Sequence, residues 1–256
     1  MNVCAVPKID CFYLLSLPKS RERRERFMKS FNQQKFKEPF DTIWGVDTRQ
    51  PENAERYRHL VNPEKFKHLY SFENGVPRPS EGYFNAGALG CFIGHMNFYK
   101  KCFENGLKYA VMFEDNVYLD RGFKEEFYNA LEKLGSDFEV CFFHCWIHLG
   151  DTVQKCGPEK IRQVKYITSC KMYIINVENM KKYYPMFFPI DTHVDIMYEE
   201  LIRKGARVYL IPLETLKLQK DTKSLINHSP VINPNPFRTY GIEEKKNLYH
   251  CTTNYV

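Results

Sequence analysis

The chain has 256 residues, 43% of them apolar and 15% aromatic, enough to bury a sizeable core in one large domain. Charged residues make up 27%, an ordinary globular share, and there is no long unbroken apolar run, which excludes bulk disorder, collagen, coiled coil and a membrane span. The net charge of +6 favours anionic partners such as nucleotides and phosphates, but over this length it is too small a surplus to argue for nucleic acid.

In chain order, Cys11 to Leu15 is a continuous apolar run of strand length. Ser20 is placed to cap a helix running to about Gln34, with Phe27 and Phe31 on one face. The stretch from Gln50 to Gly82 is polar, carries Pro51, Pro63, Pro77 and Pro79, and reads as an insertion or mobile segment. Gly87 to His95 follows, with His95 opening a helix through Phe103. Tyr109 to Phe113 is a second strand that ends abruptly in Glu114-Asp115-Asn116. Phe123, Phe127, Leu131 and Leu134 then recur at helical spacing, and Gly135 supplies the stop. Phe138 to Phe143 and Lys171 to Asn176 are further strands. Val194 to Lys204 is a helix closed by Gly205, started by Asp191 or Thr192, and Ala206 to Ile211 is the last strand. The segment Asn227 to Gly241, with Pro230, Pro234 and Pro236, reads as a long loop. Unalternated strands separated by helices predict an α/β fold with a mostly parallel central sheet and helices on both faces. The expected organisation is a single domain over 1–256, with a variable insertion at about 50–82 and a loop and tail at about 219–256.

The nine cysteines include no CxxC pair. Cys141 and Cys145 with His144 form a conceivable metal set, but Cys141 lies in an apolar run, so core thiols are the preferred reading. Unpaired cysteines and an N-terminus without a signal-peptide pattern fit a reducing, cytoplasmic setting.

Three features can carry chemistry. The acidic corner Glu114-Asp115-Asn116 ends a buried strand. Hard oxygen ligands there suit Mg²⁺ or Mn²⁺ bridging a diphosphate, while the plain alternative is an acidic turn leading into the next helix. Leu15 to Ser20 feeds a helix N-terminus, an anion site, and Arg21 and Arg24 in its first turn oppose the helix dipole unless an anion or the neighbouring glutamates compensate them. In Gly87 to His95 the glycines, Gly90 among them, permit close backbone approach to a ligand or tight helix packing, and His95 alone reads more readily as a satisfied core histidine than as a catalytic group.

Taken in order, the segments Tyr13 to Phe27, Trp44-Gly45-Val46-Asp47, Gly87 to His95 and Phe113 to Val117 resemble glycosyltransferase family 25, which includes bacterial lipooligosaccharide and collagen hydroxylysine galactosyltransferases. Ser169 to Ile174, His193-Val194-Asp195, and Leu218-Gln219 followed by Ser224 to Ile226 extend the likeness across about residues 10 to 228. The resemblance implies a GT-A-like, Rossmann-type fold. It also implies a metal-dependent, inverting transfer of a hexose, galactose or glucose, from a UDP-sugar to a hydroxyl of a saccharide or protein. By position, Leu17, Arg21, Arg24, Asp47, Gly90, His95, Glu114 and Gln219 would border the donor. Glu114, Asp115 and Asn116 would hold Mn²⁺ (or Mg²⁺), helped by His228 or Asp221. Asp195 would be the base, with His193 and Glu199 as alternatives. Asn116 stands where the family has a third acid, which weakens the metal's attraction and keeps open a catalytically silent homologue that binds nucleotide sugar or protein. The implied partners are the nucleotide-sugar donor and a saccharide or glycoprotein acceptor, with no nucleic acid. A homodimer is left open, as are a bacterial and a viral host.

Overall fold

The computed structural model describes residues 6–70, 84–146, 152–155, 162–164 and 167–219. It opens with β1 (Cys11–Ser16), α1 (Arg21–Gln34) and β2 (Phe40–Trp44). Two short helices, α2 (Pro51–Glu55) and α3 (Pro63–Lys67), precede the long α4 (Ala86–Glu104). Next come β3 (Tyr109–Glu114), β4 (Val117–Leu119), α5 (Phe123–Leu134) and β5 (Val140–Trp146). The rest of the described chain is β6 (Thr152–Lys155), β7 (Arg162–Val164), β8 (Thr168–Asn176), α6 (Val177–Lys181), α7 (Val194–Arg203), β9 (Val208–Leu210) and β10 (Leu216–Leu218).

Eight strands form one sheet in the order β2-β1-β3-β8-β5-β9-β7-β6, and β10 pairs with β4 beside it. The pairs β1–β2, β1–β3 and β5–β9 are parallel, whereas β8 and β7 run antiparallel to their neighbours. The α/β class and the mostly parallel direction hold, with two reversed strands. The reversal of β8 was not visible in its residues, because a strand buried on both faces shows the same unbroken apolar run whichever way it points.

Each face of the sheet carries its own core. Phe27 and Phe31 of α1 and Phe123, Phe127 and Leu131 of α5 pack with Phe12, Phe113 and Ile174 on one face. Phe92, Met96 and Tyr99 of α4 and Tyr198 and Leu201 of α7 pack with Tyr13, Met112 and Tyr173 on the other. Truncating any of these phenylalanines to alanine would cost about 3–5 kcal/mol.

Three expectations change at this level. α4 starts at Ala86, not His95, with the Asn85 side chain accepting from Ala88 N–H at 2.9 Å. Gly90 and Gly94 are packing contacts within the helix. In the segment from Gln50, Pro51 and Pro63 open short helices, a position where proline's missing N–H costs nothing. Residues 71–83 of that segment lie outside the described residues, as does the loop 227–241. At the start of α7, His193 and not Asp191 or Thr192 holds the cap position, and its side chain makes no capping bond.

Candidate functional site

The parallel strands β2, β1 and β3 are neighbours, so the loops that leave their carboxyl ends meet on one edge of the sheet, where α/β folds gather ligands. The loop after β1 is held by its own helix. Arg24 Nη1 donates to Ser16 Oγ at 3.2 Å and to the Leu17 carbonyl at 3.1 Å. The Arg24 guanidinium lies over the exposed Trp44 ring, 4.9 Å from its centroid. Leu17 therefore contributes a backbone anchor and borders Gly45. Arg21, in contrast, points outward and pairs with Glu25 at 2.6 Å. Its neighbouring glutamate supplies the compensation, and Arg21 does not join the corner.

The loop after β2 carries Asp47, which pairs with Lys19 of the preceding loop and with Arg49 at 2.5 Å. Burial alone would raise its carboxyl, but the Arg49 and Lys19 hydrogen bonds hold it down at about 2. This loop is pinned from below by α4. A Cβ added to Gly90 would lie 2.5 Å from both the Val46 carbonyl and Thr48 Oγ1. Gly90 thus seats the helix against the loop and does not open a ligand path.

At the acidic corner, successive residues part. Glu114 projects toward α4 and β8, where Lys171 Nζ meets Oε2 at 2.7 Å and His95 Nε2 lies 3.7 Å from Oε1. Asp115 turns to the α1 side, where Ser16 Oγ donates to Oδ2 at 2.7 Å and Arg23 lies 3.6 Å from Oδ1. Burial pushes Glu114 upward, but Lys171 and His95 outweigh it and hold the carboxyl well below the usual range. Asp115 is shifted up, because burial outweighs Ser16 and Arg23. The third member, Asn116, has a buried Oδ1 with no hydrogen-bond partner among the described residues. Alternation along a strand sends neighbours to opposite faces, so Glu114 and Asp115 do not converge on one point. A single Mn²⁺ or Mg²⁺ held by all three side chains does not fit this arrangement, and no chemical step is derived through it. His228 and Asp221, the further ligands expected from sequence, lie outside the described residues.

Gln219 is buried beneath this corner. Its Nε2 donates to the carbonyls of Asp115 and Val117 at 3.0 Å each and of Arg23 at 3.2 Å. It braces the turn and does not line a cleft. His95 is likewise fully buried, stacked on Tyr173 with its Nδ1 2.8 Å from the tyrosine hydroxyl.

Asp195 sits in the first turn of α7, partly buried. Its Oδ2 accepts from Ser169 N–H at 2.8 Å and its Oδ1 from Ile196 N–H at 3.1 Å. Ser169 holds a φ of 77°, in the left-handed region, two residues before Lys171. The β8 entrance therefore links Asp195 to the Glu114–Lys171 pair. His193 packs edge-on against Phe84 at 6.3 Å, and Glu199, one turn beyond Asp195, is exposed. Sequence reasoning gave no role of their own to Lys171, Cys91 and Ser169, which it met only inside longer motifs. The signal for Lys171 was a lone charge inside an apolar strand.

A family model described as glycosyltransferase family 25 (LPS biosynthesis protein) matches residues 9–198. The lipooligosaccharide biosynthesis protein lic2B of Haemophilus influenzae is 31% identical over 107 residues, which are 42% of this chain and 34% of that protein. The chain thus spans about a third of the length of the curated relative it matches. Among solved structures, a glycosyltransferase involved in glycosylating the major capsid of PBCV-1 is similar at a TM-score of 0.44 and 9% identity, over 80% of this chain and 82% of that one. A UDP-glucose pyrophosphorylase complexed with UDP-glucose is similar at 0.44 and 8%, over 80% and 90%.

Proposed function

The chain belongs to glycosyltransferase family 25, and from that premise we propose that it moves a hexose, galactose or glucose, from a UDP-sugar to a hydroxyl of a saccharide or protein acceptor, with inversion at the anomeric carbon. The observation that carries this reading is the meeting of three loops at the carboxyl ends of β1, β2 and β3. Lys19, Arg24 and the Asp47–Arg49 pair are held there by backbone and ion-pair contacts. Cations fixed in place before the reaction are what a departing diphosphate requires, since they stabilise its growing charge without reorganising. The aromatic face of Trp44, half exposed beside Arg24, gives a nucleobase or sugar ring a surface to lie on.

Asp195 is the base. Its two carboxylate oxygens are each oriented by one backbone N–H, and a carboxylate so held keeps lone pairs for a further proton. The acceptor oxygen attacks the anomeric carbon as Asp195 takes its proton, and the bond from that carbon to the diphosphate oxygen breaks, the electron pair leaving with the diphosphate.

The pairing of both acidic side chains with cations favours a second reading, a catalytically silent protein that binds the nucleotide sugar. A screen of nucleotide sugars for donor hydrolysis, with divalent cations supplied, separates the two. Hydrolysis of a UDP-hexose is expected. UDP binding with no hydrolysis or transfer from any donor would establish the silent reading instead.

A further inference from the structure

Three side chains around Glu114 form an arrangement that the transfer chemistry leaves unused. Cys91 and His95 are four apart on α4 and so share one face of that helix. A ligand atom of each, together with a Glu114 carboxylate oxygen, lies within 4.8 Å of the others. The His95 ring is fully buried and its Nε2 has no hydrogen-bond partner among the described residues.

The other ring nitrogen lies 2.8 Å from the Tyr173 hydroxyl, which can accept a proton from Nδ1 while donating to Met112 Sδ at 3.6 Å. With its proton on Nδ1, His95 presents a bare Nε2 lone pair to Glu114 Oε1 at 3.7 Å. In that tautomer the two facing acceptors leave between them a place that a cation, a proton or a metal ion, can fill. The separation is too long for a hydrogen bond. It suits two ligands of one ion, because bonds of about 2.0–2.1 Å at a tetrahedral angle place ligand atoms about 3.4 Å apart.

We propose that Cys91, His95 and Glu114 bind a thiophilic divalent transition metal, with zinc as the type. Thiolate plus imidazole plus carboxylate is a donor set that selects zinc or cobalt over magnesium and manganese. The outer partners that such ligands need are present. Tyr173 holds the second nitrogen of His95, and Lys171 holds the second oxygen of Glu114 at 2.7 Å. Thiolate and carboxylate together cancel the ion's charge, so Lys171 keeps its partner. The site lies on the face of the sheet away from Asp115. It stands on this geometry alone and does not depend on the transfer reading.

The test is metal content and the cobalt spectrum, neither of which involves sugar transfer. Untagged protein purified from zinc-supplied cells without chelator should carry about one zinc per chain. Cys91→Ser and His95→Gln should fall to background with their circular dichroism retained. Loading with Co²⁺ should give a thiolate-to-cobalt charge-transfer band that Cys91→Ser lacks. Wild-type protein with neither stoichiometric metal nor that band would overturn the site and leave a proton as the cation between His95 and Glu114. Should His95→Gln fail to fold, the single-atom change Cys91→Ser still decides the matter.

Discussion

At the scale of single residues, position in the chain indicated which groups to consider, and the fold decided which of them act. Asp195 and Asp47 were both legible as carboxylates in meaningful places, and the structure gives each a defined environment. Replacing Asp195 by Asn keeps the shape and removes the proposed base, so turnover should fall by about 10²–10⁴-fold while UDP binding, read by calorimetry, stays unchanged. For Asp47 the consequence is one of stability. Its carboxyl, ordinarily near 3.8, is held at about 2 by Arg49 and Lys19. A carboxyl lowered by folding stabilises the fold above its unfolded value, and that contribution disappears as the pH drops through the folded value. Lys19 is 56% exposed, and water screens its share of the pair, so Asp47→Asn should cost about 1 kcal/mol at neutral pH. The gap to wild type should close between about pH 4 and pH 2 in urea melts followed by fluorescence. Ser169 was singled out only as part of a motif, and no pattern in the sequence announces a φ of 77°. Glycine takes that conformation freely and keeps the N–H that Asp195 receives, so Ser169→Gly should raise stability by about 1 kcal/mol in the same melts.

At the scale of elements, the ends of helices and the strand runs were readable, while their direction and partners were not. α5 ends at Gly135 and α1 begins after Ser20, as their sequence punctuation indicates, although the Ser20 side chain makes no capping bond. Gly87 and Gly90, read as allowing close backbone approach or tight helix packing, lie inside α4, and at Gly90 the helix presses against the β2 loop so closely that a side chain has no room. Gly90→Ala should therefore cost about 1–3 kcal/mol by overpacking, and because the displaced loop carries Asp47, it should also weaken UDP binding. Calorimetry alongside a melt reads both. The β3–β8 contact depends on tertiary pairing that no local period reveals. There the Glu114–Lys171 pair is mostly shielded, with side chains 16% and 20% exposed. Lys171→Met would strand a buried carboxylate and should cost about 3 kcal/mol or more, whereas the double variant with Glu114→Gln should recover much of that. A double variant no more stable than Lys171→Met would show that the pair is not coupled.

At the scale of the whole molecule, the chain assembles a mixed sheet whose three adjoining parallel strands deliver their loops to one edge, with a separate aromatic core on each face. The α/β class followed from runs and spacing, and the family from motifs spread over most of the chain. The meeting of Ser16, Asp115 and Arg23, or of Cys91, His95 and Glu114, comes from residues up to about a hundred positions apart and is set by topology alone. No helix among the described residues is long and apolar enough to cross a membrane. The central claim is that the edge formed by β1, β2 and β3 holds a nucleoside diphosphate, and calorimetric titration with UDP of wild type, Arg24→Met and Arg21→Met tests it most directly. Arg24 lies in the corner and Arg21 points to solvent. Loss of one charge-assisted contact should weaken binding by about tenfold or more in Arg24→Met, with Arg21→Met matching wild type. Equal losses in both variants, or no UDP binding by the unaltered chain, would contradict it.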